Sequence, residues 1–400
     1  MVTNPRRFSP FQGAEERPGC HRRCLGKCCI PGAALPVYAF HGGSSRDWSS
    51  GSDSENIEAE SSFFLNKVIL SEWRERMTRG LFRYDITSCK SKRLPGSLGF
   101  IAQLNEGRYL KKRPTELRVD QVLQSFDSEK FNFTKIGQEE LLFCFEESTY
   151  GSHGYHERVV VGSCSNVVVV NVSPIDYGHV LLVPKLHDCK PQRIDRESFQ
   201  LAVKFVAEAG DRNFRVGYNS LGAFATVNHL HFQAYCMAFP LAVERACVTS
   251  IFITRKHGGV DISELVDYPV LGLVYSSEGA GEELAPCVSE ACIALQNCNI
   301  SYNVLISDCG RRIFLFPQCF AERQALGLVK EDVLETMVNP GVWEISGHIV
   351  LKRREDYESA SQDSAWRLLA EVSLSRERFE DVKKLCMDVP SLALKEKLSP

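Results

Sequence analysis

The stretch Val227–Tyr235, VNHLHFQAY, sets His229, His231 and Gln233 two residues apart inside an apolar run. On a β-strand successive side chains alternate between faces. The three polar groups therefore share one face, and Leu230, Phe232 and Ala234 share the other. Such a strand is anchored on its apolar side and carries a rigid polar stripe. Three uses fit that stripe: satisfied core histidines, a metal site, or a reaction centre. With 10 histidines in 400 residues, a His-x-His arises by composition alone in roughly a quarter of such chains. The pair by itself therefore decides nothing. Zinc prefers His, Cys, Asp or Glu, so Gln233 as the third group speaks against a metal. A core role accommodates one buried histidine better than three polar groups on one face.

The surroundings read as an α+β chain. Upstream, Asn219, Gly222 and Thr226 lie in a loop whose small and hydrogen-bonding residues suit close approach to an anion. The runs Val159–Val161, Val167–Val172 and HVLLVP read as strands, SPIDYG as a turn, and Pro184 as a stop. A helix is expected from Asp195 to Ala209, with Asp195 as N-cap and Gly210 just beyond its end. Another helix is expected between Ser62 and Arg79, ended by Gly80. Downstream, ISYNVLISDCGRRIFLFP echoes the strand–turn–strand of VVVVNVSPIDYGHVLLVP. A helical stretch near Lys330–Met337 follows. VWEISGHIVLKR then reads as the strand in the place of NHLHFQAY. The expectation is a degenerate internal duplication in which only the first copy keeps the paired histidines. Antiparallel sheets flanked by helices would result. The organisation is read as residues 1–61, a Cys-rich, partly disordered segment and linker; 62–255, the catalytic half; and 256–400, a second half with a helical tail.

Composition narrows the function classes. The chain is 44% hydrophobic and 24% charged, with net charge -3, so no basic field points to nucleic acid. No run of about 18 apolar residues suggests a membrane span, and the N-terminal stretch lacks the apolar core of a secretory signal. The 16 cysteines mostly sit in apolar runs, which suggests reduced thiols, no disulfide framework, and a cytoplasmic or nuclear setting. Cys20, Cys24, Cys28 and Cys29 crowd into CHRRCLGKCC. With no distant second pair they do not match a usual zinc framework, and no metal or cofactor is expected.

Asn171-x2-Pro174-x3-Gly178-His179-x4-Pro184, followed by Asn219, Gly222, Thr226 and His229-x-His231-x-Gln233, resembles the histidine triad superfamily. Gln233 stands where hydrolases of that superfamily carry a third histidine. The pattern is therefore similar to the nucleotidyltransferase and phosphorylase branch, which includes the galactose-1-phosphate uridylyltransferases. Blocks from CLGKCCIPGAALPVYAF to VWEISGHIVLKR extend the resemblance over roughly residues 20 to 385. It implies a GDP-hexose and inorganic phosphate as substrates, with GDP-L-galactose on the route to ascorbate as the first reading. GDP-D-glucose phosphorolysis and hexose-1-phosphate nucleotidyl transfer are the alternatives, and a regulatory protein without chemistry is the least favoured. It further implies His231 as nucleophile through a guanylyl-histidine, His229 as brace, and Gln233 as a donor to a phosphate oxygen. Asn219, Gly222, Thr226 and Arg113 would bind substrate, and the chain would form a homodimer. Ala225 departs from the glycine favoured among the uridylyltransferases. His179 is read as structural, and the second half as scaffold and substrate wall.

Overall fold

The structure, a computed structural model, describes residues 23–40, 64–111, 120–148, 153–254, 259–279, 281 and 283–396. Arg113, Cys20 and the linker from His41 to Ser62 lie outside the described residues. The strands are β1 Ala34–Phe40, β2 Lys90–Arg93, β3 Ile101–Leu104, β4 Leu141–Glu147, β5 Gly154–Val160, β6 Val167–Val170, β7 Val180–Val183, β8 Phe214–Asn219, β9 Phe232–Cys236, β10 Cys247–Thr254, β11 Val260–Val266, β12 Leu273–Ser277, β13 Tyr302–Ser307, β14 Arg312–Pro317 and β15 His348–Leu351. The longer helices are α1 Phe64–Thr78, α2 Arg196–Ala209, α3 Leu284–Asn297 and α4 Arg376–Glu396. None of the helices among the described residues is long and apolar enough to cross a membrane.

Among the described residues a 12-stranded sheet runs β10-β11-β12-β14-β13-β8-β9-β7-β6-β4-β1-β5. Every neighbour in it is antiparallel except β1 beside β4. A small sheet, β15-β3-β2, packs separately. Chain order within the large sheet is informative. β4-β6-β7, α2, β8-β9 takes the same path as β10-β11-β12, α3, β13-β14, and the two paths meet where β13 pairs β8. The hairpin β13–β14 thus occupies the place of β8–β9, rather than that of β6–β7 as the sequence echo suggested. VWEISGHIVLKR does not stand in for NHLHFQAY either. It forms a short helix, Val342–Ile345, and then β15, which pairs in parallel with β3 outside the large sheet. Similar apolar patterns on several strands allow such an echo to slip by one hairpin, and only the pairing fixes it.

The helix ends follow local chemistry. The Asp195 side chain accepts the Ser198 N–H at 2.8 Å, and Gly210 takes a φ of +65°. That φ costs little without a Cβ. α2 then lays Phe199, Val203 and Val206 on the sheet, in one core with Phe232 and Ala234 of β9. The segment 24–40, expected as part of a loose N-terminal unit, is instead built in: β1 is inserted between β4 and β5. Cys144 and Cys164 form a disulfide with Cα atoms 5.9 Å apart, where thiols were expected. The β4–β6 pairing, Cys144 opposite Val167, is what brings them together.

Candidate active site

Regular strand structure begins at Phe232, so the histidines stand just before β9 and not within it. The alternation nonetheless continues backwards. Leu230, Phe232 and Ala234 enter the helix-covered core, while His231 and Gln233 line a cleft of ≈ 1210 Å³ on the opposite face. His229 does not reach that cleft. It is fully buried, with its ring centroid 5.4 Å from that of Phe126 and 5.5 Å from that of Phe133.

The tautomer of His231 is set by its own chain. Its Nδ1–H donates to the His229 carbonyl at 2.8 Å, which leaves the Nε2 lone pair as the reactive position. Burial holds the ring's pKa down at about 4, so it is neutral near pH 7. A neutral imidazole with a free nitrogen is a nucleophile, and a protonated one is not. His229 is braced in turn: its Nδ1 accepts the Phe133 N–H at 3.2 Å, and burial, then the neighbouring His231, lowers its pKa to about 4.

A residue absent from the sequence reading holds the His231 backbone. The β8–β9 ladder ends at Gly217 opposite Gln233. Two pairs further on, where Asn219 would face His231, the Gln192 amide fills the gap. Its Oε1 accepts the His231 N–H at 2.9 Å, and its Nε2 donates to the His231 carbonyl at 3.2 Å and the Asn219 carbonyl at 2.9 Å. Gln192 is 1% exposed. It acts as a bridging peptide unit, and both Asn219 and His231 still line the cleft.

Asn219 is oriented by partners that can only donate at that point. Its Oδ1 accepts the Val342 N–H at 2.9 Å and the Asn303 Nδ2–H at 2.7 Å. Its Nδ2 is thereby left as the donor on the cleft side. Gln233 is set similarly: the Trp343 indole N–H donates to its Oε1 at 3.1 Å, freeing its amide N–H groups. Trp343 can lie this close because Gly217 has no side chain; a Cβ there would meet Val342 Cγ1 at 2.6 Å and Trp343 Cζ2 at 3.1 Å. Thr226 lines the cleft and Gly222 does not. Gly222 turns the loop with φ +80°, and the Ala223 and Ala225 N–H groups both donate to the Ser220 carbonyl. Those amides are used within the turn, so the anion-binding nest expected there is not formed by them. The cleft's cations include Arg23, Arg83, Arg108, Lys135 and Lys352. None of these was singled out from sequence, where charged residues without motif spacing look like solvated surface. His179 is fully buried, and its Nδ1 accepts the Ile175 N–H at 2.9 Å, which closes the SPIDYGH turn. The second half supplies Trp343, Glu344 and Lys352 to the cleft wall.

Comparison with known proteins shows what the chain is similar to. Residues 64–235 match a family described as GDPGP1-like, N-terminal domain, and residues 242–393 match GDPGP1-like, C-terminal domain. The chain is 56% identical over 383 residues to GDP-L-galactose phosphorylase 1 of Arabidopsis thaliana, covering 95% of this chain and 86% of that one. It is 32% identical to GDP-D-glucose phosphorylase 1 of Danio rerio over 337 residues, 80% of this chain and 90% of the relative. Yeast Ap4A phosphorylase Apa2 in complex with Ap4A shares the fold at TM-score 0.52 and 18% identity, over 78% of this chain and 98% of that one.

Proposed function

This chain belongs to the GDPGP1-like family, and from that premise we infer that it is a GDP-L-galactose phosphorylase. It converts GDP-L-galactose and inorganic phosphate to L-galactose 1-phosphate and GDP. The 56% identity to the Arabidopsis thaliana enzyme over nearly the whole chain carries the choice of reaction.

For the steps we propose a double displacement at His231. The Nε2 lone pair attacks the α-phosphorus. The bond from that phosphorus to the bridging oxygen breaks, and the sugar 1-phosphate leaves with the electron pair. An oxygen of inorganic phosphate then attacks the guanylyl-histidine, releasing GDP and returning His231 to its neutral form. The pinned tautomer and the lowered pKa support this role. Asn219 Nδ2 and the Gln233 amide would donate to α-phosphate oxygens as charge develops there. Gln233 cannot carry a proton, which favours an anionic acceptor over water. The shared strand path of the two halves supports reading them as ancient copies, with the second now serving as wall. Homodimerisation and a cytoplasmic or nuclear location belong to the same proposal, on the strength of the family resemblance.

The test is label transfer. With GDP-L-galactose labelled at the α-phosphate and no inorganic phosphate, His231 should acquire acid-labile, base-stable label. Added phosphate should release it as GDP. Label retained in His231→Asn would overturn the mechanism. Relative rates on GDP-L-galactose and GDP-D-glucose test the sugar, the second reading being favoured only by the more distant relatives.

A further inference from the structure

We propose that Cys24, Cys28 and Cys29 form a thiolate site for a soft divalent cation of the zinc type, and that the bound ion staples one wall of the cleft. Sequence spacing alone spoke against a zinc framework, because the cysteines lack a distant second pair. The structure changes the question from spacing to convergence. The three sulfur atoms lie within 4.8 Å of one another. Cys24 Sγ stands 3.4 Å from Cys28 Sγ, and Cys28 Sγ 3.7 Å from Cys29 Sγ. A disulfide would require about 2.05 Å. Tetrahedral zinc with Zn–S near 2.3 Å places its sulfurs about 3.8 Å apart. The observed spacing is close to the second value and far from the first.

The backbone is shaped around the sulfurs. Cys24-x3-Cys28 is within the Cys-x2–4-Cys spacing typical of structural zinc sites. Between them the Gly26 N–H donates to Cys24 Sγ at 3.3 Å, which holds that sulfur inside the turn. A Cβ on Gly26 would lie 3.2 Å from Cys24 Sγ and 3.4 Å from Cys28 Sγ, so the glycine lets the loop wrap both. The three thiolates fill three corners of a tetrahedron, and solvent or a further donor takes the fourth. Binding releases the thiol protons to solvent and involves no redox change.

The loop is tied to the cleft wall through its main chain. The Leu25 N–H donates to the Ile136 carbonyl at 3.0 Å, and the Gln138 N–H to the Arg23 carbonyl at 2.8 Å. The Gln138 side-chain amide donates to the Cys24 and Cys29 carbonyls, each at 3.3 Å. Ile136 and Gly137 line the cleft, and Phe133 on the same segment donates to His229. The ion touches no reacting atom. It would fix the wall that positions His229, whose carbonyl fixes His231.

The experiment is metal analysis of the full chain, purified reduced and dialysed. One equivalent of zinc per chain is expected, and it should be lost in Cys28→Ser and kept in Cys89→Ser. After cobalt exchange, the wild type should show thiolate-to-metal charge-transfer absorption and the d–d bands of tetrahedral cobalt. This readout stands even if the serine variants fold poorly, and it is independent of activity. Chelation should lower the Tm and lower kcat more than it raises the KM for GDP-hexose. The proposal is overturned if the reduced chain holds no stoichiometric metal and takes up cobalt without charge-transfer bands. Finding Cys24 and Cys28 joined as a disulfide in the native chain would overturn it too.

Discussion

Replacing Asn219 by Asp and by Ala should have opposite effects on stability and activity. In Asn219→Asp one carboxylate oxygen still accepts from Val342 N–H and Asn303 Nδ2–H, at the 2.9 and 2.7 Å now occupied by the amide oxygen. It also adds negative charge at the first turn of the Val342–Ile345 helix, which is mildly favourable. Folding stability should therefore stay within about 1 kcal/mol of wild type. The other carboxylate oxygen replaces the only donor Asn219 offers the cleft. Losing a hydrogen bond to a phosphate oxygen removes about 1.5–3 kcal/mol. Two unit charges about 5 Å apart at an effective dielectric near 20 repel by roughly 3 kcal/mol. Together these predict a fall in kcat/KM for GDP-L-galactose of about 10³- to 10⁴-fold, at ~1.4 kcal/mol per tenfold. Asn219→Ala instead strands two buried donors, Val342 N–H and Asn303 Nδ2–H. It should destabilise by about 2–4 kcal/mol while losing less activity per folded molecule than the Asp variant. Initial rates and denaturant unfolding of the three proteins decide the matter. An Asp variant within tenfold of wild-type kcat/KM would show that Asn219 does not face a phosphate. An Ala variant as stable as wild type would refute the role of these two hydrogen bonds.

Further expectations concern the neighbours. Gln192→Met keeps the volume but removes three buried hydrogen bonds; a loss of about 3–5 kcal/mol in stability and a drop in kcat larger than any rise in KM are expected, and unchanged kcat would refute the clamp. His231 has a folded pKa of about 4, below its unfolded value near 6.5. Its neutral burial therefore contributes stability that is complete above about pH 6.5 and lost as the pH falls toward 4. Between those limits the unfolding free energy of His231→Asn should vary with pH less steeply than that of wild type, by roughly 1 kcal/mol per pH unit; parallel curves would contradict the lowered pKa. The rate of label incorporation into wild type should likewise show no histidine titration near pH 6.5. Gln233→His should raise release of GMP from the GDP-hexose, since an imidazole can deprotonate water and an amide cannot; GMP at the wild-type background would refute that role of the glutamine.

What could be read from the chain itself was local. Two-residue alternation put His231 and Gln233 on one face and Leu230, Phe232 and Ala234 on the other, although the strand begins only at Phe232. The Asp195 cap and the Gly210 turn bounded α2 because their partners lie within four residues. The Asn219-to-Gln233 pattern was legible for the same reason, and it carried the resemblance that pointed to a nucleotidyl-transferring histidine. The orientation of those groups was decided only in three dimensions. Asn219 is aimed by Val342 and Asn303, Gln233 by Trp343, and the His231 backbone by Gln192, each across a long stretch of chain. A hydrogen bond depends on position in space, and nothing in the spacing of a linear chain records which distant amide will arrive. The same limit misplaced the second-half echo by one hairpin, since apolar strands share a pattern and pairing alone distinguishes them. It also hid the three converging sulfurs, whose spacing in sequence looked wrong until the loop around Gly26 folded them together.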